Sequence, residues 1–235
     1  MEMIIGEIKV DVIQKNIKNM HLSVLPPDGH VRVSVPLSVE EQAIKIFISS
    51  KMAWIHKQIE VFQNQDRQTK RQYVTGETLY YWGRPYRLYV NVSKKQSIEI
   101  KGDRIHLNVK DSSSFEIKEK LVNQWYRKSL RTEAILLFEK AQRITGLHCS
   151  SWKIVYMKTK WGSCNHEKKS ILINLQLAKK PLEALEYVIY HELGHIKEKT
   201  HSKAFVSYLD EYYPAWGSVK QNLNDSVLDI YLNDL

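Results

Sequence analysis

The chain has 235 residues and a net charge of +9, and 43% of its residues are hydrophobic while 26% are charged. These proportions predict a folded globular protein and exclude a disordered chain, and the sequence has no apolar run of the roughly 18 residues that a membrane-spanning helix needs. The first residues, MEMIIGEIKVDV, carry acids where an export signal requires a basic start and then an apolar run. Because only two cysteines are present, Cys149 and Cys164, we expect no disulfide framework and predict a cytoplasmic location.

The first third of the chain is predicted to form strands followed by one helix. The run HLSVLPPDGHVRVSV alternates apolar and polar residues on both sides of Pro26-Pro27-Asp28-Gly29, a pattern that is typical of a β-hairpin. After this hairpin, apolar residues recur at helical spacing up to Phe62. Ser38 and Glu41 have the spacing of a capping box, which predicts the start of that helix.

Two further hairpins are predicted in the middle of the chain. The run TLYYWGRPYRLYVNV bends at Gly83-Arg84-Pro85, and SIEIKGDRIHLNV has Gly102-Asp103 between two alternating halves. The candidate linker is Asp111-Ser112-Ser113-Ser114, and no internal sequence repeat is evident. We therefore predict a β-rich N-terminal domain with one helix, residues 1–112, and a second domain, residues 113–235.

The second domain is predicted to begin with a long helix, from Phe115 to Ile144, that ends before Gly146. The candidates for its buried residues are Leu121, Trp125, Leu137, Phe138, Ala141 and Ile144. The remaining third follows the order strand, loop, strand, helix, helix, in which WKIVYM and SILINLQL are the strands and WGSCNHEKK is the loop. Pro181 and Glu183 favour a helix start.

Positive charge is concentrated just before a histidine-rich segment. Between Lys153 and Lys180 the sequence has seven lysines and one acid, Glu167, so this segment has a net charge of +6. A solvated loop is the simpler interpretation, because scattered lysines without interleaved arginines or stacking aromatics seldom form a nucleic-acid site. Nucleic acid is nevertheless the alternative partner that such a charge attracts.

The segment YVIYHELGHIKEKTHSKAF carries the main functional signal. His191 and His195 are four residues apart, so on a helix their imidazoles share one face and can point at a common ion. Glu192 is offset by one position, which brings its carboxylate to the side where a water is activated. This HExxH pattern predicts a zinc site in which Glu192 takes a proton from the water that attacks a carbonyl.

A site of this kind needs a third protein ligand. His201 is too far along the chain to share the face of a straight helix, but it reaches the ion if the chain turns at about residues 198–200. Asp210 or Glu211 on the next helix is the alternative third ligand. The longer pattern HExxHxxGxxH has glycine where this chain has Glu198, and its downstream methionine turn is missing because all methionines lie at or before Met157. That class is excluded.

The sequence resembles the YgjP-like metallopeptidases, which are kin of the SprT-like zinc proteases. The resemblance is carried by KTKWGSC, ILINLQL, HELGH, HSKAF and YYPAW in the family's order, while PDGHVRVSVP and KMAWI resemble its N-terminal region. It implies a zincin-like α+β domain in which His191, His195 and His201 bind zinc. It also implies that Glu192 is the catalytic base.

Two residues depart from the family pattern. Lys160 stands where an arginine usually precedes WGSC, and Val206 stands where a tryptophan commonly follows phenylalanine. Neither residue belongs to the ligand set that the resemblance implies. Donors that could stabilise the developing oxyanion are Tyr190, Tyr212, Tyr213 and His166, among which the sequence does not choose.

Together these features predict a cytoplasmic zinc-dependent peptidase that cleaves peptide bonds in a peptide or protein substrate. The strand SILINLQL is expected to line the cleft and to pair with an extended substrate. The rival hypothesis is a nucleic-acid-associated protein whose zinc site is structural or acts on DNA-bound proteins. No membrane partner is expected, and the sequence does not define an oligomeric state.

Overall fold

The computed structural model describes residues 1–25, 29–64, 71–111 and 113–225. The strands are β1 (Glu2–Ile5), β2 (Ile8–Lys15), β3 (His21–Leu25), β4 (His30–Pro36), β5 (Thr78–Tyr81), β6 (Arg84–Val92), β7 (Ser97–Lys101), β8 (Arg104–Val109), β9 (Ser151–Val155), β10 (Gly162–Asn165) and β11 (Ser170–Asn174). The helices are α1 (Glu41–Ser49), α2 (Met52–Asn64), α3 (Phe115–Thr145), α4 (Leu182–Gly194), α5 (Lys203–Tyr212) and α6 (Trp216–Asp225). The class is therefore mixed α+β, and no helix within the described ranges is long and apolar enough to cross a membrane.

The chain divides into two compact units, the first within residues 1–70 and the second within residues 71–228. The domain boundary expected after residue 112 falls inside the second unit. The physical reason is that the strands of residues 78–109 share one core with the long helix α3, since Leu88 and Ile105 belong to the same buried cluster as Tyr126.

The first unit contains a four-stranded sheet in the order β1-β2-β4-β3. The predicted hairpin is confirmed because β3 pairs antiparallel with β4, although residues 26–28 of its turn lie outside the described residues. The prediction of a single helix after this hairpin is wrong, because the chain forms two helices, α1 and α2. They separate at Ser50, whose hydroxyl donates to the Phe47 carbonyl at 2.7 Å and so competes with the helical hydrogen bonds. The N-cap of α1 is Glu40, and Ser38 does not cap it.

The second unit begins with a sheet of the same topology, in the order β5-β6-β8-β7. In both sheets two antiparallel hairpins meet through a central parallel pair, β2 with β4 and β6 with β8. Both hairpins predicted in this region are confirmed. The first turns at Trp82 and Gly83, one residue earlier than expected. Their φ angles of 48° and 79° are both positive, as a two-residue hairpin loop of type I′ requires. The structure thus contains a repeated topology that the sequence does not show.

Helix α3 confirms the predicted long helix and ends at Gly146, whose φ of 68° is the left-handed conformation expected there. Its fully buried residues are Val122, Tyr126, Leu130, Ala134, Phe138 and Ala141. Two of the predicted core residues, Phe138 and Ala141, belong to this stripe, whereas Ile144 is 47% exposed. Leucine, isoleucine and tryptophan residues also lie beside this buried stripe. The prediction from apolar periodicity therefore chose a face of α3 that is rotated from the buried face.

A third sheet lies beside the candidate site, and its order is β10-β11-β9. The segment predicted to be the loop WGSCNHEKK contains a strand, β10, which pairs antiparallel with β11. The strand predicted over SILINLQL is shorter than expected, because after Asn174 the chain forms a 3-10 helix, Leu175–Lys179. β11 is the central strand and is paired on both sides, so β10 and β9 are the two edge strands of this sheet.

Candidate metal centre

Helix α4 and the turn after it place the histidine-rich segment. The predicted start is confirmed, with Pro181 at the N-cap position. His191 and Glu192 lie in the last turn of α4, and His195 is its C-cap. The helix therefore ends before the segment 198–200 where the bend was expected, and the Glu198 amide donates back to the Gly194 carbonyl at 2.9 Å. This earlier turn reverses the chain, so that His201, just before α5, lies beside His191.

Close packing fixes the position of that turn. Gly194 lies against α5, where an added Cβ would be only 2.7 Å from Tyr208 Cε1 and 3.0 Å from Phe205 Cε2. The hydroxyl of Tyr208 donates to the Tyr190 carbonyl at 3.1 Å, which ties α5 to α4. The glycine of HELGH is thus required for the approach of two aromatic rings, because any larger residue would push α5 away.

The three imidazoles converge through the same ring atom. His191 Nε2 lies 3.2 Å from His195 Nε2 and 3.1 Å from His201 Nε2. Across the described part of the chain, these three histidines form the only such group of possible metal ligands, with one ligand atom from each lying within 4.8 Å of the others. The alternative third ligands are not in this group, and Asp210 accepts a hydrogen bond from Trp216 Nε1 at 2.7 Å.

Hydrogen bonds to the opposite ring nitrogens orient two of the imidazoles. His195 Nδ1 donates to the Glu198 carbonyl at 2.8 Å, and His191 Nδ1 lies 3.3 Å from the Tyr187 hydroxyl. A proton held on Nδ1 leaves the Nε2 lone pair free to bind a cation. The sequence analysis did not single out Tyr187, although its spacing of four residues before His191 puts both side chains on one helix face.

Phe205 forms an apolar wall behind the histidines. Its ring centroid is 5.0 Å from that of His191, 4.5 Å from that of His195 and 5.0 Å from that of His201, and the residue is 1% exposed. Burial, together with the charges of the neighbouring imidazoles and Lys220, lowers the pKa of His191 to about 3. Three imidazoles with converging nitrogens fit a divalent cation that prefers nitrogen ligands, so this group could hold a metal.

Glu192 lies beside the histidines with its carboxylate in a confined space. The residue is 5% exposed, and its Oε1 would be 2.5 Å from a Cβ added to Gly162 of β10. Burial raises the pKa of the Glu192 carboxyl to about 8, an effect that the charge of Lys160 opposes. A carboxyl group with a pKa near neutrality can both accept and return a proton.

The loop that leads into β10 is held by a buried amide. Asn174 Nδ2 donates to the Met157 carbonyl at 2.8 Å and to the Lys160 carbonyl at 2.6 Å. The backbone N–H of Gln176 donates to Asn174 Oδ1 at 3.1 Å. Asn174 is fully buried, so these bonds fix the path of KTKWGSC against β11 and place Gly162 beside Glu192.

Two cavities meet at the histidine group. The Trp161 cavity, of about 230 Å³, is also lined by Tyr187 and Lys220, and the Cys164 cavity, of about 420 Å³, is also lined by His166 and Lys199. The residues common to both are Lys160, Gly162, His191, Glu192 and His201. Among the oxyanion donors considered from the sequence, His166 lines the cleft, whereas the three tyrosines do not appear in either lining.

Comparison with known proteins gives a family match over most of the chain. Residues 18–226 match the family described as YgjP-like, metallopeptidase domain. The metallopeptidase zymogen of Pyrococcus abyssi abylysin is 21% identical with a TM-score of 0.36, and the match covers 38% of this chain and 90% of that chain. The metallopeptidase zymogen of Methanocaldococcus jannaschii jannalysin is 23% identical with a TM-score of 0.35, covering 39% and 93%. No match is found among curated proteins.

Proposed function

Because the chain belongs to the YgjP-like metallopeptidase family, we propose that it is a zincin-like, zinc-dependent peptidase. In this proposal His191, His195 and His201 hold the zinc ion, and Glu192 is the general base. The observation that carries it is that His191 Nε2 lies 3.2 Å from His195 Nε2 and 3.1 Å from His201 Nε2, beside a buried carboxylate that lines the same cavities. The family is one of metal-dependent peptidases, so the substrate is a peptide or protein.

The residues of the cleft divide the chemistry between them. When bound, zinc supplies Lewis acidity that acidifies a water and polarises a carbonyl. Glu192 takes the proton of the attacking water on a carboxylate oxygen and returns it to the departing amide nitrogen. Burial beside Gly162 holds the carboxylate in one place, so little reorganisation is needed when the proton moves.

We propose that an extended substrate pairs with β10. The sequence favoured SILINLQL for this role, but β11 lies between β9 and β10 and its edges are already paired. Among the described strands β10 pairs with β11 alone, and Gly162, Ser163 and Cys164 line the cavities beside the histidines. Backbone groups of a bound peptide would then continue the sheet, as in other strand-addition complexes.

Metal content and cleavage test the proposed function together. We expect the purified protein to bind about one equivalent of zinc, as one three-histidine site requires, and the loaded protein to cleave members of an unbiased peptide library. Removal of zinc by a chelator should abolish cleavage, and readdition of zinc should restore it. Cleavage that persists after the metal has been shown to be removed would contradict the proposal.

Tyr187→Phe tests whether the hydroxyl near His191 supports metal binding. Its loss removes a partner of the Nδ1 atom while leaving the aromatic ring in place. We expect zinc affinity to fall about 10-fold, the lower end of what loss of such outer-shell partners causes, with little change in the melting temperature of the metal-free protein. Tyr213→Phe is the matched control, because that hydroxyl donates to the Glu183 carbonyl away from the histidines. Equal zinc affinity in the two variants would show that Tyr187 has no such role.

A further inference from the structure

Lysines from three separate elements surround the cleft. Lys160 precedes β10 and lines both cavities, Lys199 follows α4 and lines the Cys164 cavity, and Lys220 belongs to α6 and lines the Trp161 cavity. All three residues are exposed. The two cavities share His191, His201 and Glu192, and Lys220 lines one cavity, Lys199 lines the other and Lys160 lines both.

Within the described structure, acids offset only part of the positive charge of these three lysines. Glu192 is the only acidic residue in the lining of either cavity. None of the three lysines forms a salt bridge with a described carboxylate, whereas Lys140 pairs with Glu186 at 2.7 Å on another part of the same unit. Lys220 instead lies 5.5 Å from the centre of the Trp216 ring, a cation–π contact that restricts its position. A cleft in which one sign of charge predominates concentrates ligands of the opposite sign.

We propose that the cleft selects acidic peptides, with aspartate or glutamate side chains on both sides of the bond that is cleaved. The inference rests on the proposed function and adds the substrate class to it. A strand paired with β10 would extend into the Trp161 cavity on one side and the Cys164 cavity on the other, so its side chains would meet Lys220 and Lys199 in turn. Flexible ammonium groups suit carboxylates at variable positions better than they suit one fixed geometry.

A binding measurement tests this selectivity without depending on turnover. The probe is a fluorescent peptide with blocked ends, so that terminal carboxylates play no part, and its neutral partner has asparagine and glutamine in place of the acids. Binding is measured by anisotropy with the zinc-loaded Glu192→Gln variant. We expect the acidic peptide to bind about 10-fold more tightly at low ionic strength, with the preference shrinking as salt is added.

Lysine variants locate the source of the preference. Lys160→Gln, Lys199→Gln and Lys220→Gln should each weaken binding of the acidic peptide about 2- to 5-fold, in line with the strength of exposed charge pairs, and leave the neutral peptide unaffected. Lys153→Gln removes the same charge from an exposed position on β9, outside both cavity linings, and should change neither affinity. Circular dichroism spectra establish that each variant is folded.

Three results would overturn the proposed preference for acidic peptides, and each can be told apart from an absence of peptide hydrolysis. Equal affinities for the acidic and neutral peptides would show that the cleft does not select acidic peptides. Equal effects of the cleft variants and Lys153→Gln would show that the three lysines are not the source of a preference. Displacement of the peptide by a single-stranded oligonucleotide that binds more tightly and depends on the same lysines would assign the cleft to nucleic acid. If the acidic peptide binds as expected but wild-type protein cleaves no peptide, the substrate class stands and the proposed hydrolysis is rejected.

Discussion

Glu192→Gln is expected to retain zinc and to lose peptide hydrolysis. The amide has nearly the size of the carboxylate, so the packing beside Gly162 and the three histidines should be preserved. It cannot accept a proton from water, and removal of a general base typically lowers rates by about 10² to 10⁴. We therefore expect kcat to fall by this factor while zinc stoichiometry and the affinity for a bound peptide change little.

Glu186→Gln provides the matched control on the same helix. Its carboxylate pairs with Lys140 at 2.7 Å, and it is absent from the linings of both cavities. Loss of this partly exposed ion pair should lower stability by at most about 1 kcal/mol and leave kcat unchanged. Full activity in zinc-loaded Glu192→Gln would sink the mechanism, whereas loss of zinc from that variant would show that the carboxylate supports the metal site.

Gly162→Ala is expected to inactivate the protein by displacing Glu192. The added Cβ would lie 2.5 Å from Glu192 Oε1, 2.8 Å from Glu192 Cγ and 2.8 Å from Val188 Cγ1. Gly162 does not have the positive φ found at other glycines of the chain, so alanine suits the backbone and the conflict is with these side chains. A displacement of about 1 Å in a catalytic group can lower the rate about 100-fold, and we expect a loss of that order in kcat.

Two comparisons separate this effect from general destabilisation. Gly217→Ala adds the same methyl group in α6, where nothing lies within 4 Å, and should leave activity and melting temperature nearly unchanged. If Gly162 acts through Glu192, adding Gly162→Ala to Glu192→Gln should cause little further loss of kcat, because the displaced group is already inactive. Independent, multiplicative losses in the double variant would show that Gly162 acts elsewhere, and a zinc-free Gly162→Ala protein would show damage to the metal site.

The sequence indicated which histidines could converge, whereas it did not indicate which residues surround them. The HExxH spacing identified the side chains that converge because a four-residue separation sets their direction on a helix regardless of the rest of the fold. The sequence left the third ligand open between His201 and the acids of the next helix. The structure brings His201 beside His191 and His195. The bend that achieves this begins at Gly194, since the aromatic rings of α5 pack against a residue without a side chain.

Local patterns therefore determined the elements with strong periodicity and clear ends. The hairpins, the long helix ending at Gly146 and the start of α4 at Pro181 follow from turn and capping chemistry within a few residues. The prediction from apolar periodicity failed where a side-chain hydrogen bond competes with the helical ones. This happens at Ser50, which separates α1 from α2.

Tertiary structure alone decided which strand lies beside the cavities and which residues surround the three histidines. WGSCNHEKK has the composition of a loop, yet β10 forms because β11 supplies its hydrogen-bond partners and Asn174 anchors the preceding segment. The positions of Lys160, Lys199 and Lys220 in the linings of the two cavities likewise depend on three separate segments of the chain. Spacing along the chain specifies neighbours on one helix, whereas partners on different elements are specified by the packing of the whole unit.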